Sequence, residues 1–454
     1  MDLRIPQEVK NLSNEFKDRG FELYLVGGAV RDFVMEKDIT DWDFATNAIP
    51  EQILDCLGEE AFYDNRFGTV GFPFKDGRRP FEITTYRTEY GYSDSRRPDK
   101  IKWGKSLEED LKRRDFTINA MALRLAPITQ DKQEIIDLYE GKKDIKRKLI
   151  RAVGDPTERF SEDALRMMRA VRIAAELGFT IEENTFNAIK MHADSINKIA
   201  RERVREELFK IIRAEYAYEA MVLFHSTGLM DETLPELSKT FGVEQKSPGR
   251  HHIYDVGTHS LMALKNCKNQ DPLVRFATLI HDIGKPQTYK KLSSGVITFY
   301  NHEVVSTKIA VNIADRLKFS KKEKDKLVTL VRWHQFTVDE RQTNSAIRRF
   351  IKNIGKENVE DMLDLRVADR LGGGARETSW RLEEFKKRLV EVQKEPFAVR
   401  DLKIDGNDVM KELGLKPSPK VGEILNKLFD EVVEKKLKNE KKALLARLKE
   451  FKTS

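Results

Sequence analysis

Apolar alternation is confined to the first third of this chain. Beyond Gly154-Asp155-Pro156 the apolar residues recur at helical spacing and strand signals almost vanish. Short apolar runs at Phe21–Val26, Asp41–Ala45, Thr69–Phe74 and Phe81–Tyr86 predict strands, with the turn Lys75-Asp76-Gly77 between the last two. Helical spacing at Val9, Leu12 and Phe16, and again over Ala29–Met35, places helices among them. Later text predicts a helix over Glu162–Leu177, N-capped by Ser161 and stopped at Gly178, then helices over Asn197–Ile212 and Tyr216–Ser226. The fold class is therefore α+β, with the strands gathered near the N-terminus and helices elsewhere. A chain of 454 residues has room for about two to four domains. We place them at 1–147, 148–245, 246–395 and 396–454, reading Lys246-Ser247-Pro248-Gly249-Arg250 as a linker.

Charge matters by its placement. The chain carries 82 Lys/Arg against 75 Asp/Glu, a net +7 that argues for no partner by itself. Residues 435–454, however, hold eight basic residues against two acidic ones, and Lys142–Arg172 holds ten against five. Each is either a solvated helix face or a track for phosphates. The two cysteines, Cys56 and Cys267, lie too far apart in sequence for a zinc ribbon and are too few for a disulfide framework. The N-terminus lacks an apolar signal core, and no run approaches the ~18 apolar residues of a spanning helix. These features predict a soluble, cytoplasmic protein with no membrane partner, and they leave its oligomeric state open.

Two constellations carry chemistry. In the first, Leu25-Val26-Gly27-Gly28-Ala29-Val30-Arg31-Asp32 sets two glycines between a strand and a helix. Backbone amides at such a turn can approach a phosphate, which Arg31 can also contact; a plain strand-to-helix connection has the same pattern. Asp41-Trp42-Asp43 follows on the next strand. Residues i and i+2 of a strand share a face, so the two carboxylates repel unless a hard cation such as Mg²⁺ lies between them. Glu82 is either a third carboxylate of this group or a solvent-facing residue.

In that order, with Arg113-Arg114-Asp115-Phe116-Thr117-Ile118-Asn119-Ala120, Glu162-Asp163-Ala164-Leu165-Arg166 and Arg201–Leu208 following, these motifs resemble class II tRNA nucleotidyltransferases. This is the family of bacterial CCA-adding enzymes and poly(A) polymerases, whose head is like that of DNA polymerase β. The resemblance covers roughly residues 20–230 and implies a nucleotidyltransferase head followed by helical neck, body and tail regions. It implies tRNA as partner, CTP and ATP as substrates, and Mg²⁺ bound by the catalytic pair Asp41 and Asp43. Gly27, Gly28 and Arg31 would hold the triphosphate and Asp115 would read the ribose 2′-hydroxyl. Arg114 either serves the phosphates or, like Arg113, only pairs with nearby acids. Glu162 and Arg169 are further candidates beside the nucleotide.

Asp163 and Arg166, taken as i and i+3 of one helix, project side by side. A carboxylate accepts and a guanidinium donates, which matches the amino group and adjacent ring nitrogen shared by cytosine and adenine. Guanine and uracil present the reverse order, and each buried mispairing costs ~1–3 kcal/mol. The pair therefore predicts selection of CTP and ATP without a template. The polar segment Arg87–Lys112, including Tyr92-Ser93-Asp94-Ser95-Arg96-Arg97-Pro98-Asp99, reads as a mobile loop. In the family a loop here assists the change from CTP to ATP, and its presence favours complete CCA addition over CC addition alone.

The second constellation is His259, His281-Asp282, His302, His334 and Asp369. Within Leu279-Ile280-His281-Asp282-Ile283-Gly284-Lys285 the adjacent His-Asp resembles the HD metal-dependent phosphohydrolases. This implies a divalent metal, of identity the sequence does not set, held by His259, His281, Asp282 and Asp369. His302 and His334 are either the extra ligands of a binuclear site or pocket lining. His251 and His252 have no assigned role. Two rival readings stand beside CCA addition: a poly(A) polymerase or partial CC- or A-adding enzyme, and an HD phosphohydrolase carrying a vestigial RNA-binding head. On the leading reading, the C-terminal basic helix suits a tRNA elbow and Lys142–Arg172 the acceptor stem.

Overall fold

The computed structural model describes residues 5–65, 68–74, 79–90, 100–103, 106–125, 134–245, 253–336, 342–393, 399–434 and 436–451. The turn 75–77, the segment 92–99, the linker 246–250, and His251 and His252 lie outside them. The chain divides into two compact units, Met1–Phe241 with Ile313–Phe319, and Gly242–Asn312 with Ser320–Ser454.

The first unit is built on a seven-stranded sheet. Its strands are β1 (Leu23–Val26), β2 (Asp43–Thr46), β3 (Phe62–Asn65), β4 (Thr69–Phe72), β5 (Phe81–Thr85), β8 (Met121–Arg124) and β9 (Ile135–Asp137). They run in the order β3-β4-β5-β2-β1-β8-β9. All pairings are antiparallel except β2 with β5, whose parallel register sets Asp43 opposite Glu82. Period-two geometry sorts the side chains between faces. Leu23, Leu25, Phe44, Ile83, Met121 and Leu123 enter one core, while Tyr24, Val26, Ala45 and Ala122 enter another. Central strands covered on both faces read as continuous apolar text, as β1 does.

Within 87–112 the described residues form regular elements despite their polarity. Arg87–Tyr90 (β6) and Lys100–Trp103 (β7) pair as an antiparallel hairpin, and Leu107–Lys112 is a helix capped by Ser106. Cross-strand pairing outweighs the missing periodicity there.

The expected helix over Glu162–Leu177 is also two helices. Asp155, followed by Pro156 in the first helical turn, starts one over Pro156–Glu162. Asp163 then adopts an extended conformation (φ −144°, ψ 104°), and a second helix runs over Leu165–Leu177 to Gly178 in the left-handed region. Ser161 is not a cap; its hydroxyl donates to the Glu158 carbonyl inside the first helix. Asp155, not Ser161, offers the carboxylate that receives a free amide, from Thr157.

Among its described residues the second unit is helical apart from a two-stranded ribbon, Lys290–Lys291 with Ile297–Thr298. Helices Val256–Asn266 and Val359–Gly372 pack so closely that a Cβ on Gly372 would lie 2.7 Å from the Ala263 amide nitrogen. Residues 399–451 close around their own small core, including Leu402, Val409, Leu428, Leu444 and Leu448. Among the described residues, no helix is long and apolar enough to cross a membrane.

Candidate active sites

In the first unit Trp42 and Phe44 pack into the core, their rings 6.4 Å apart. That orientation turns Asp41 and Asp43 to the opposite face. Burial pushes Asp43 up to about 6, and the neighbouring Asp41 and Glu82 add to the shift. Glu82 is exposed and holds register with Asp43, so it faces solvent and still charges the same cluster. Crowded carboxylates of this kind suit a hard divalent cation, whose charge removes their repulsion. Arg79 donates to Asp41 at 2.5 Å from the exposed side.

The glycine turn lies against this cluster. Gly27 has φ +71°, a conformation that favours glycine, and a Cβ there would lie 3.0 Å from Arg114 Nη1 and 3.9 Å from Asp43 Oδ2. Gly28 opens the helix Gly28–Val34 beside Arg31. Arg31 in turn donates to Asp32 (2.9 Å) and Asn119 (3.0 Å). Asp110 is a buried acceptor for both arginines of the next motif, Arg113 Nε at 2.9 Å and Arg114 Nη2 at 3.1 Å. The two guanidiniums outweigh burial and lower the Asp110 carboxyl.

Asp115 is almost fully buried. It accepts from the Phe116 amide at 2.8 Å and pairs with Arg169 at 2.7 Å. Burial disfavours its charge, yet Arg169 and Arg166 hold it below the ordinary carboxylate range. Asp163 occupies the break between the two helices, where its carboxylate caps the Leu165 amide (3.0 Å) and receives Arg203 (3.2 Å). It therefore flanks Arg166 from that break and not from the same helical face. Arg166 is buried and donates to the carbonyls of Arg113 (3.0 Å) and Arg159 (3.1 Å) and to Glu162. Asp163, Arg166, Arg113 and Asp115 are thus tied into one hydrogen-bonded and charged assembly.

The second unit carries a different cluster. His259 lies within the helix Val256–Asn266 and Asp369 near the end of Val359–Gly372. His281 and His334 stand at the C-terminal ends of Pro272–Ile280 and Lys321–Trp333, and His302 begins His302–Arg316. His259, His281, Asp282 and Asp369 bring ligand atoms within 4.8 Å of one another, as do Asp282, His302 and His334, so Asp282 belongs to both groups. Three histidines are oriented alike: Nδ1 of His281, His302 and His334 faces the carbonyls of Thr278 (2.7 Å), Phe299 (2.9 Å) and Val331 (2.7 Å). An N–H at Nδ1 leaves each Nε2 lone pair for a cation, the arrangement that prepares a metal ligand. Nε2 atoms of His259 and His281 come within 3.3 Å, and those of His302 and His334 within 3.2 Å. Burial opposes charge on His281, but Asp282 and Asp369 override it and push the imidazole up to about 10. Burial and the facing histidines lower His334. Lys285 Nζ sits 2.6 Å from Asp282 Oδ2.

Family models match three stretches: "Poly A polymerase head domain" at 23–151, "Probable RNA and SrmB- binding site of polymerase A" at 178–241, and tRNA nucleotidyltransferase domain 2 at 298–448. The CCA-adding enzyme of Ligilactobacillus salivarius is 34% identical over 450 residues, covering 98% of either chain. The chain belongs to the CCA-adding enzyme family. Its relative from Leuconostoc mesenteroides is 32% identical over 458 residues, 99% of this chain and 98% of the relative. The crystal structure of the Bacillus stearothermophilus CCA-adding enzyme in complex with CTP aligns with a TM-score of 0.75 at 28% identity, over 100% and 98% of the two chains. The Thermotoga maritima CCA-adding enzyme complexed with tRNA shares the fold, with a TM-score of 0.61 at 19% identity over 99% and 95%.

Within this family member, sequence reasoning missed Asp110 and Arg79, and it placed Arg203 inside the motif Arg201–Leu208 without giving it a role. Asp110 left a trace, since it stands three and four residues before Arg113 and Arg114, which follow directly on its helix Leu107–Lys112. Arg79 and Arg203 reach their partners across 38 and 40 residues, a distance that no local pattern encodes.

Proposed function

We propose that this chain builds and repairs the 3′-terminal CCA of tRNA from CTP and ATP, without a nucleic-acid template. The observation that carries the reading is the approach of Gly27, Arg114 and Asp43 to one another. It sets an open glycine turn and a cation against a carboxylate cluster. The RNA 3′-hydroxyl attacks the α-phosphorus; the O3′–P bond forms, the bond to pyrophosphate breaks, and the hydroxyl proton passes to solvent. Asp41 and Asp43 are the ligands for Mg²⁺, which supplies Lewis acidity and counter-charge when bound. Gly27, Gly28, Arg31 and Arg114 receive the triphosphate. Asp115, already held by Arg169, accepts from the ribose 2′-hydroxyl. Asp163 and Arg166 accept from the base amino group and donate to the ring nitrogen, through the break between their helices.

Transcripts ending before C, CC or A, each given one nucleotide, test this reading. CTP alone should extend to CC and stop, and ATP should then add one residue. A long adenosine tract would make the chain a poly(A) polymerase, and no adenosine on CC ends would make it a CC-adding enzyme.

A second activity is favoured by the convergent Nε2 atoms around Asp282. The His/Asp cluster is a resident divalent-metal site, and imidazole with carboxylate suits Mn²⁺, Co²⁺ or a similar ion that activates water. Lys285 lines the same cavity of about 720 Å³. It offers positive charge to a phosphate oxygen. On a 3′-phosphorylated RNA end, water oxygen bonds to phosphorus and the P–O3′ bond breaks, releasing inorganic phosphate and the 3′-hydroxyl that nucleotidyl transfer requires. His281→Ala should abolish this hydrolysis and spare nucleotide addition; loss of both would refute two separate sites. The regions 1–147, 148–245, 246–395 and 396–454 then serve as catalytic head, base-selecting neck and body, phosphohydrolase and tRNA-binding tail.

A further inference from the structure

Beside the metal-site cavity lies another, of about 590 Å³. Gln335, Arg366 and Arg370 line both. Each volume falls within the range of a small-molecule site. The second cavity has no use in removing a phosphate from a single nucleotide. Among the described residues its lining adds Arg381 to the two shared arginines and no carboxylate, a charge balance that favours anions. It also includes Trp380, 63% exposed on a helix whose Leu382 and Phe385 are buried. Arg381 stands 5.2 Å from the Trp380 ring centroid. Arg366 connects the two cavities chemically, because its Nη1 donates to Asp369 Oδ2 at 3.1 Å. An exposed indole among arginines is the combination that stacks a base and neutralises its phosphate.

Resting on the phosphohydrolase reading, we infer that Trp380, Arg370 and Arg381 form a subsite for the nucleotide preceding the one that carries the scissile phosphate. The site therefore takes the end of an RNA strand in preference to a mononucleotide. Arg370 and Arg381 contact the internucleotide phosphate, and Trp380 stacks the penultimate base. Tyr300, also exposed and lining the metal-site cavity, lies on the side of the terminal nucleotide.

The test uses the full chain with Mn²⁺ and two ligands, cytidine 3′-phosphate and the dinucleotide CpC 3′-phosphate. Equilibrium dialysis gives binding and released phosphate gives turnover. Trp380→Ala should weaken binding of the dinucleotide about tenfold, a typical loss for one stacked base, and change the mononucleotide less than twofold. Trp380→Phe should recover most of the loss, and Arg381→Gln should reduce the salt dependence of dinucleotide binding alone. Equal effects on both ligands, or none on either, overturn the subsite. Binding of Mn²⁺ read by electron paramagnetic resonance in His281→Ala judges the metal reading separately. If Mn²⁺ binds that variant as it does the parent, the phosphohydrolase reading fails, while the dialysis still decides the subsite.

Discussion

The two candidate metal sites handle charge in opposite ways. The carboxylates of the first unit are all oxygen donors at the ends of two interior strands, with Asp41 half exposed and Arg79 beside it. Strand register sets Asp43 beside Glu82, and burial followed by the charges of Asp41 and Glu82 raises the Asp43 carboxyl. The cluster of the second unit is buried, and backbone carbonyls fix three of its imidazoles. The contrast fits two kinds of metal use. An open oxygen site suits an ion that arrives with a triphosphate and keeps some of its water, whereas an enclosed nitrogen and oxygen site suits one that stays.

The largest effects should come from removing a ligand on each side of this comparison. Asp43→Asn should cut CMP and AMP transfer by at least about a thousandfold, because the displacement loses its counter-charge. It should also stabilise the metal-free protein. With Asp43 near 6, the folded protein binds a proton that the unfolded chain has released, so stability falls as pH rises through about 4 to 6. Asparagine removes that loss, and a metal-free Tm higher by about 2–4 °C at pH 7 is expected. An unchanged or lower Tm by calorimetry would show that burial and the neighbouring acids do not raise the Asp43 carboxyl. His281→Ala should instead lower Mn²⁺ affinity at least tenfold and leave CMP transfer within twofold of the parent.

How far such sites are legible in sequence depends on what fixes them. Asp41-Trp42-Asp43 could be read because strand geometry determines its outcome: with Trp42 in the core, both acids face the other way. The histidines could be paired with Asp282 only through family resemblance, since Asp282 and Asp369 lie 87 positions apart and helix packing at Gly372 decides which turn of one helix meets His259. Asp163 shows the opposite failure. Its spacing from Arg166 fitted a single helix, but Asp155-Pro156 starts an earlier one that ends at Asp163, leaving it in the break, where its carboxylate accepts from the Leu165 amide. The residues are the expected ones and their geometry is different.

Medium effects should separate the shared phosphate site from the base-reading site. Asp110→Asn leaves Arg113 and Arg114 without the carboxylate that orients them, and breaking a buried pair of this kind costs about 3 kcal/mol of stability. It should raise the KM for CTP and ATP by the same factor, about tenfold, because both nucleotides carry the same triphosphate. Arg166→Ala should instead change the ratio of correct to incorrect nucleotides, with GTP and UTP incorporation rising about tenfold relative to CTP. Single-nucleotide incorporation on one transcript distinguishes the two. A selectivity change in Asp110→Asn, or none in Arg166→Ala, would contradict the division of labour.

The smallest effect concerns the basic C-terminus, and the structure decides how it must be probed. Leu444 and Leu448 belong to the core of residues 399–451, so truncation after Glu434 would unfold that core. Arg447 is held by Glu431 and Glu450, and Lys441 by Asp408, which leaves these cations engaged within the protein. Lys438 and Lys442 are exposed, and they are the better test of a phosphate track. Changing both to Gln should raise the KM for tRNA about two- to fivefold and lower the slope of log KM against log salt by about 1 to 2, as expected for two lost phosphate contacts. The KM for CTP on a short primer should not move. If neither the tRNA KM nor its salt slope changes, the basic tail is a solvated helix face and the net charge of this region says nothing about RNA.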